Sequence, residues 1–245
     1  MRVGAVTDIG KVRQINEDNY YIPQDISAHI PLFVVADGMG GHNAGEFASK
    51  EAIDVVTGYL YQNYDNCNKD RNNIIQMIKE SILCANQAIY QKSQSDPNLQ
   101  GMGTTLVVVL IYNGKLYIGH VGDSRVYAIR RNNIYQLTRD HSYVEQLVNN
   151  GTITREQALN HPQKNIITRA LGTEENVEID LSVRKFFKKD TIILCTDGLT
   201  NLVTDEEIKQ KAVKFNSCQY LAEELVNTAN DNGGNDNITI VVIRD

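Results

Sequence analysis

Residues 32–41 of the chain have the sequence LFVVADGMGG, and residues 191–198 have the sequence TIILCTDG. Each stretch is a run of mostly apolar or β-branched residues that ends at an Asp-Gly pair, and such a run predicts a strand buried on both faces. The aspartate then places a carboxylate at the rim of the core, and the glycine lets another group approach its backbone closely. A single Asp-Gly pair is typical of a turn after a strand. Its repetition at Asp37 and Asp197 favours two carboxylates that meet at a metal site.

The composition is that of a globular protein. Of the 245 residues, 42% are hydrophobic and 22% are charged, and the net charge is −6. This length suits one large domain or two small ones and allows a sizeable core. The acidic balance, without a dense Lys/Arg cluster, argues against a nucleic-acid partner or an anionic membrane surface.

The sequence also bears on the compartment in which the protein works. It begins MRVG and enters structured chain without the apolar segment of a signal peptide. No run approaches the roughly 20 apolar residues that span a bilayer. The four cysteines show no Cys-x-x-Cys spacing, so neither a zinc knuckle nor a disulfide framework is indicated. We expect free thiols in a reducing cytoplasm, and no membrane partner.

Helices and strands are predicted in pairs. Apolar residues recur every three or four positions over residues 44–61 and 74–93, which predicts two helices. Asn113-Gly114 predicts a hairpin turn between two strand-like runs. This pairing favours antiparallel sheets covered by helical layers over a doubly wound parallel sheet. Residues 142–173 are predicted to form short helices and loops, and are interpreted as a lid or side insertion.

Several aspartates occupy similar positions along the chain. Five lie beside glycine or asparagine at the end of a predicted strand: Asp18, Asp37, Asp123, Asp197 and Asp236. Carboxylates that converge on one site cannot all stay ionised without a compensating cation. Ligation by oxygen alone indicates Mg²⁺ or Mn²⁺ rather than zinc. Two such ions, about 3.5–4 Å apart, can share a water and direct it at phosphorus. The residues alone therefore predict a metal-dependent hydrolase acting on phosphate.

Eight short motifs also occur in one order along almost the whole chain. They are RQINED at 13–18, VADGMGGH at 35–42, GMGTT at 101–105, GHVGDSR at 119–125, LTRDHS at 137–142, ITRALG at 167–172, TDGL at 196–199 and DNIT at 236–239. Together they resemble the metal-dependent serine/threonine protein phosphatase family, type 2C, in its stand-alone bacterial form. The resemblance implies an α+β fold. Its architecture is a four-layer α-β-β-α sandwich of two antiparallel sheets flanked by helix pairs. It also implies one catalytic domain over residues 1–245, with a flap at 142–173.

The resemblance further implies a set of metal ligands. Asp37 bridges two ions, and the carbonyl of Gly38 with Asp197 and Asp236 completes the protein ligands. Asp123, together with Asp197, matches the ligands of a third, weaker ion in bacterial relatives. The implied cofactor is Mn²⁺ or Mg²⁺.

Catalytic roles are implied for three more residues. Arg13 matches the phosphate-binding arginine of the family. The planar fork of its guanidinium suits two phosphoryl oxygens at once. Asp18 is expected to act through metal-bound water. Some relatives place a general-acid histidine directly after the Asp-Gly pair, where this chain has Met39. The nearest histidine, His42, either protonates the leaving oxygen or only orients the loop, and a metal-bound water is the alternative proton donor.

The implied reaction is hydrolysis of phosphoserine and phosphothreonine proteins. A metal-bridging hydroxide attacks in line, without a phosphoenzyme, and the enzyme opposes a bacterial serine/threonine kinase as a cytoplasmic monomer. His141 and His161, in or beside the flap, are interpreted as solvated histidines.

Two other functions are weighed against this one. A catalytically silent binding module on the same fold would have lost metal-ligand aspartates, whereas Asp37, Asp197 and Asp236 are all present. A phosphotransferase of the haloacid dehalogenase type needs Asp-x-Asp after its first strand. Residues 37–39 have no second aspartate at that spacing.

Overall fold

The computed structural model of the chain describes residues 1–25, 30–40 and 44–245. Among these residues the strands form two antiparallel sheets. In spatial order the first sheet contains β1 (Arg2–Asp8), β11 (Ile238–Arg244), β10 (Thr191–Cys195), β7 (Arg125–Arg130) and β8 (Asn133–Gln136). The second contains β2 (Asp18–Tyr21), β3 (Leu32–Met39), β5 (Leu106–Tyr112), β6 (Lys115–Val121) and β9 (Asp180–Lys185), with β4 (Gly103–Thr104) paired to the end of β3.

The helices connect and cover these sheets. They are α1 (Ala44–Asn63), α2 (Arg71–Ser95), α3 (Tyr143–Asn149), α4 (Arg155–Leu159), α5 (Asp197–Thr200), α6 (Asp205–Lys214) and α7 (Cys218–Asp231). The long helices predicted over 44–61 and 74–93 are confirmed as α1 and α2. No helix in the described parts of the chain is both long and apolar enough to cross a bilayer.

The alternation of side chains along β3 shows how the layers stack. Leu32 and Val34 pack into a core shared with α1 and α2, whereas Phe33 and Val35 pack into the core between the two sheets. Successive side chains of a strand point to opposite faces, so a run with both faces buried must be apolar throughout. The expectation that residues 32–36 form such a strand is confirmed.

The first sheet is covered in the same way on its outer face. Leu221 and Leu225 of α7 and Ile208 of α6 lie in one buried cluster with Ile193 of β10 and Ile240 of β11. The order of layers is therefore α1/α2, second sheet, first sheet, α6/α7. The predicted four-layer α-β-β-α sandwich is confirmed.

The segment 142–173 lies between β8 and β9 in the chain. It contains α3 and α4, and Thr154 and Gln157 form a capping box at the start of α4. Isolated bridges attach its ends to the body of the protein, from Ser142 to Ile167 and from Thr104 to Leu171. Its function as a flap stays a prediction.

Candidate metal centre

Asp18 and Asp37 are brought together by the register of β2 and β3, in which they are directly opposite partners. Strand β3 does not end at Ala36, as the sequence suggested, but continues to Met39, because Gly38 and Met39 pair with β4. The amide of Asp37 donates to Thr105 Oγ1 at 3.0 Å, and its carbonyl accepts from the Thr105 amide at 2.8 Å. Both backbone polar groups of Asp37 are thereby held by Thr105.

Asp197 and Asp236 approach the same place from the neighbouring strands β10 and β11. The amide of Thr196 donates to the carbonyl of Thr239 at 3.1 Å, which extends the pairing of these strands beyond β10. At Gly198 an added Cβ would overlap the carbonyl of Asn237. Only glycine therefore allows the chain after Asp197 to pass this close to the chain after Asp236.

Asp123 lies in the turn between β6 and β7. Gly122, just before it, has a φ of +106°, which a residue with a side chain rarely adopts. The hydroxyl of Ser124, just after it, is 2.8 Å from that of Thr105, the residue that holds the Asp37 amide. The structure thus brings Asp123 to the four other predicted acids.

The electrostatics confirm that these carboxyls are neighbours. Burial raises the pKa of Asp18 to about 7, with further repulsion from Asp197 and Asp236. Burial and the charges of Asp18 and Asp197 raise the pKa of Asp37 well above its usual value. The pKa of Asp197 is raised to about 6, and that of Asp123 is raised well above normal, again chiefly by burial. Without a cation, these side chains resist ionisation as a group.

The hydrogen bonding of the acids fits a cation as well. Buried carboxylate oxygens without a hydrogen-bond partner among the described residues include Asp18 Oδ1 and Asp123 Oδ1. An ionised carboxylate can only accept, so such an oxygen needs a donor or a metal ion. A set of buried oxygen ligands with unmet acceptors suits a hard divalent cation such as Mn²⁺ or Mg²⁺. The predicted ligands therefore fit the predicted metal.

Arg13 reaches this centre from the loop after β1. Its Nη2 donates to Asp236 Oδ2 at 2.8 Å, so the guanidinium is already oriented by a predicted metal ligand. The side chain remains 46% exposed, which leaves it accessible to a substrate. His42 lies outside the described residues, and its role stays a prediction.

A second group of titratable side chains was not foreseen. The potential ligand atoms of His120, His141 and Asp180 lie within 4.8 Å of one another, a compact arrangement that the predicted aspartates do not form. The interpretation of His141 as a solvated histidine is wrong. His141 is buried. Its Nδ1 accepts from the Gly122 amide at 3.0 Å, and its Nε2 lies 3.0 Å from Arg169 Nη1.

Comparison with known proteins shows the family of this chain. Residues 11–239 match the family model described as Protein phosphatase 2C. The chain belongs to the protein phosphatase 2C family. Among its relatives, the serine/threonine phosphatase stp of Listeria welshimeri serovar 6b is 39% identical over 237 residues, which cover 97% of this chain and 93% of that protein.

Solved structures of the family are equally similar. The crystal structure of the serine/threonine phosphatase Stp1 from Staphylococcus aureus has a TM-score of 0.89 and 37% identity, and covers 99% of this chain and 94% of that one. The catalytic domain of the serine/threonine protein phosphatase PstP, in complex with two manganese ions, has a TM-score of 0.84 and 35% identity, with 98% and 96% covered. The predicted family and fold are confirmed.

Proposed function

We propose that this protein is a metal-dependent protein serine/threonine phosphatase that hydrolyses phosphoserine and phosphothreonine. The observation that supports this most directly is the group of buried aspartates around Asp37, whose pKa values are raised because their charges repel in a buried place. Membership of the protein phosphatase 2C family and relatives named as serine/threonine phosphatases support the same activity.

Divalent cations, Mn²⁺ or Mg²⁺, are the cofactor, as in the manganese-containing structure of a relative. Asp37, Asp197, Asp236 and the carbonyl of Gly38 would hold two ions, and Asp123 with Asp197 would hold a further, weaker one. Bound there, such ions polarise phosphoryl oxygens and lower the pKa of water.

The chain's own residues position the reactants around this chemistry. Asp18 Oδ2 accepts from Thr196 Oγ1 at 2.8 Å, which leaves the buried Oδ1 available to accept from a water in the centre. Arg13, held by Asp236, has further N–H donors for two phosphoryl oxygens. His42 is the proposed proton donor to the leaving oxygen, with water as the alternative.

The cellular setting completes the proposal. The enzyme would oppose a bacterial serine/threonine kinase as a monomer in the cytoplasm, with residues 1–245 as one catalytic domain and 142–173 as its flap. The resemblance of the motifs supports these assignments. The described cysteines, which are free thiols, are compatible with a reducing compartment.

The test is hydrolysis of a phosphothreonine peptide by the purified protein in EDTA, with added Mn²⁺, and by the Asp197→Asn variant. The expected result is phosphate release that requires metal and collapses in this variant. The exposed Asp231→Asn provides the matched control and should leave the rate unchanged. No release by folded, metal-loaded protein on several peptides would contradict the proposal and favour the binding module. Trapping of an aspartyl-phosphate would favour the haloacid dehalogenase type.

A further inference from the structure

A cavity of about 380 Å³ opens where the edges of the two sheets separate. Strand β8 is the edge of the first sheet and β9 the edge of the second. Residues 137–139, which follow β8, line one side of the cavity, and residues 179–182 and 184 line the other. Ile118 and His120 of β6 complete the lining. We refer to this cavity as the edge pocket.

His120 is the unusual residue of the edge pocket. Its side chain is only 1% exposed, and neither ring nitrogen meets a hydrogen-bond partner among the described residues. A neutral imidazole offers one donor and one acceptor. A buried polar group that lacks a partner is costly. Both ring nitrogens are also closed to solvent, so His120 contributes to the wall of the edge pocket and not to ligand contacts.

A metal ion does not suit this place, although His120, His141 and Asp180 are close together. His141 Nδ1 accepts from the amide of Gly122, so the neutral ring carries its proton on Nε2, the atom that faces Asp180 Oδ2 at 3.4 Å. That Nε2 then has no lone pair for a metal. Arg169 Nη1 also lies 3.1 Å from Asp180 Oδ1, and a guanidinium there repels a second cation.

The charges of the edge pocket favour an anion instead. Arg139 and Arg184 line it, together with the hydroxyls of Thr138 and Ser182. Arg139 is partly engaged, since its Nε lies 3.4 Å from Glu145. Arg184 is exposed and forms no ion pair with any described residue.

The only acid of the lining is already paired. Asp180 contacts Arg169, which it shares with Glu178, and lies beside the neutral His141, so part of its charge is offset from outside the edge pocket. A guanidinium binds a carboxylate through two parallel N–H donors, which adds geometric specificity. The edge pocket therefore complements a carboxylate on a short apolar stem.

The position of the edge pocket relates it to the metal centre. His120 precedes Asp123 by three residues on β6 and the following turn. At about 3.3 Å per residue, the Cα atoms of His120 and Asp123 are therefore at most roughly 10 Å apart. An extended peptide spans the same distance with about three residues. A substrate with its phosphorylated residue at the metal centre can therefore place a nearby side chain in the edge pocket.

We propose, on the basis of the proposed function, that the edge pocket binds an acidic side chain of the phosphoprotein substrate two to four residues from the phosphorylated residue. Arg184 provides the main charge contact and Arg139 a weaker one. The edge pocket thus selects among phosphoproteins by sequence and takes no part in the reaction itself.

The test compares phosphothreonine peptides that differ by one aspartate, placed in turn at each position up to four residues on either side, with an all-neutral parent peptide. The wild-type enzyme should hydrolyse peptides with aspartate at one or more of the predicted positions with a kcat/KM about threefold to tenfold above that of the parent, through a lower KM. Arg184→Gln should bring this ratio close to one without changing the kcat/KM of the parent peptide. Arg139→Gln should reduce the ratio less.

Lys188→Gln is the matched control, because Lys188 is exposed just after β9 and does not line the edge pocket. It should leave the ratio as in the wild type. Equal kcat/KM values for all peptides, or a preference that persists in Arg184→Gln, would overturn the inference while leaving the phosphatase activity established by the parent peptide. Failure to hydrolyse even the parent peptide with Mn²⁺ would overturn the proposed function itself.

Discussion

Two groups of buried titratable side chains lie on either side of the β6–β7 turn, and burial acts on them in opposite directions. The metal centre contains five aspartates (Asp18, Asp37, Asp123, Asp197 and Asp236), and we call this group the aspartate centre. There, burial raises the pKa of Asp18 to about 7 and that of Asp197 to about 6. In the edge pocket, burial lowers the pKa of His120 to about 4. The cause is the same, because a low-dielectric surrounding disfavours whichever form is charged.

The difference lies in what surrounds each group. The acids of the metal centre repel one another, and among the described residues Arg13 donates only to Asp236, so ionisation of the whole group calls for added positive charge. The histidine pair has Arg169 beside His141, which further disfavours a proton there. The aspartates therefore favour a cation beside them, whereas the two histidines stay uncharged.

The largest expected effect comes from removing the charge at the middle of the acids. Asp37→Asn should lower phosphatase activity by about 10³-fold or more, because the charge that would bridge the ions is lost. Steady-state hydrolysis of a phosphothreonine peptide measures this, with the exposed Asp54→Asn of α1 as control. Activity within tenfold of the wild type would show that Asp37 is not a metal ligand.

A smaller effect is expected on the stability of the metal-free protein. Because the pKa of Asp18 is raised from 3.8 to about 7, the folded protein holds more protons here than the unfolded chain between about pH 4 and 7. Its free energy of unfolding therefore falls as pH rises through this range. Asp18→Asn removes this penalty, so the variant should gain about 4 kcal/mol relative to the wild type between pH 4 and 8.

Urea unfolding in EDTA at several pH values measures that difference. The Asn side chain can still accept from Thr196, which keeps the local hydrogen bond. A difference between variant and wild type that does not change with pH would contradict the raised pKa of Asp18.

For His120, the free energy of unfolding is predicted to change with pH in the opposite direction. The pKa of His120 is lowered from 6.5 to about 4, so between these values the folded protein holds fewer protons than the unfolded chain. The corresponding stability is present above about pH 6.5 and is lost as pH falls towards 4. The wild type should therefore lose about 2–3 kcal/mol more than His120→Gln on acidification from pH 7 to 4. Equal acid sensitivity of the two proteins in urea unfolding, with His161→Gln as control, would count against this assignment.

The sequence predicted the aspartate centre better than the edge pocket for a physical reason. Asp37 and Asp197 each end an apolar run beside a glycine, so their position at the rim of a core follows from local pattern. His120 and Asp180, by contrast, are 60 residues apart and meet only through the pairing of β6 with β9. Residue patterns within one strand do not specify which strand pairs with it, or in which register.

Two further details depended on tertiary contacts. The continuation of β3 to Met39 requires β4. This strand has two residues, which are too few to give a strand signal in the sequence. The contact of Arg13 with Asp236 joins positions at opposite ends of the chain. Local sequence shows neither.

Within the metal centre, the smallest predicted effect on activity concerns Arg13. Arg13→Lys keeps the charge but loses the planar fork, so kcat/KM for a phosphothreonine peptide should fall about tenfold. Affinity for Mn²⁺ should change little, because the ligand oxygens remain. Steady-state kinetics and calorimetric Mn²⁺ binding measure the two quantities separately. Unchanged kcat/KM, or a loss of Mn²⁺ affinity as large as the loss of activity, would contradict a role in phosphate binding.

The most direct test of the account is the number of protons released when Mn²⁺ binds, measured by calorimetry in buffers of different ionisation enthalpy. If burial holds the aspartates partly protonated without a metal, Mn²⁺ must displace those protons. The prediction is release of about one to two protons at pH 6, falling towards zero well above pH 7. Binding without proton release at pH 6 would contradict the claim that the aspartate centre is a charge-repelled site that only a cation fully ionises.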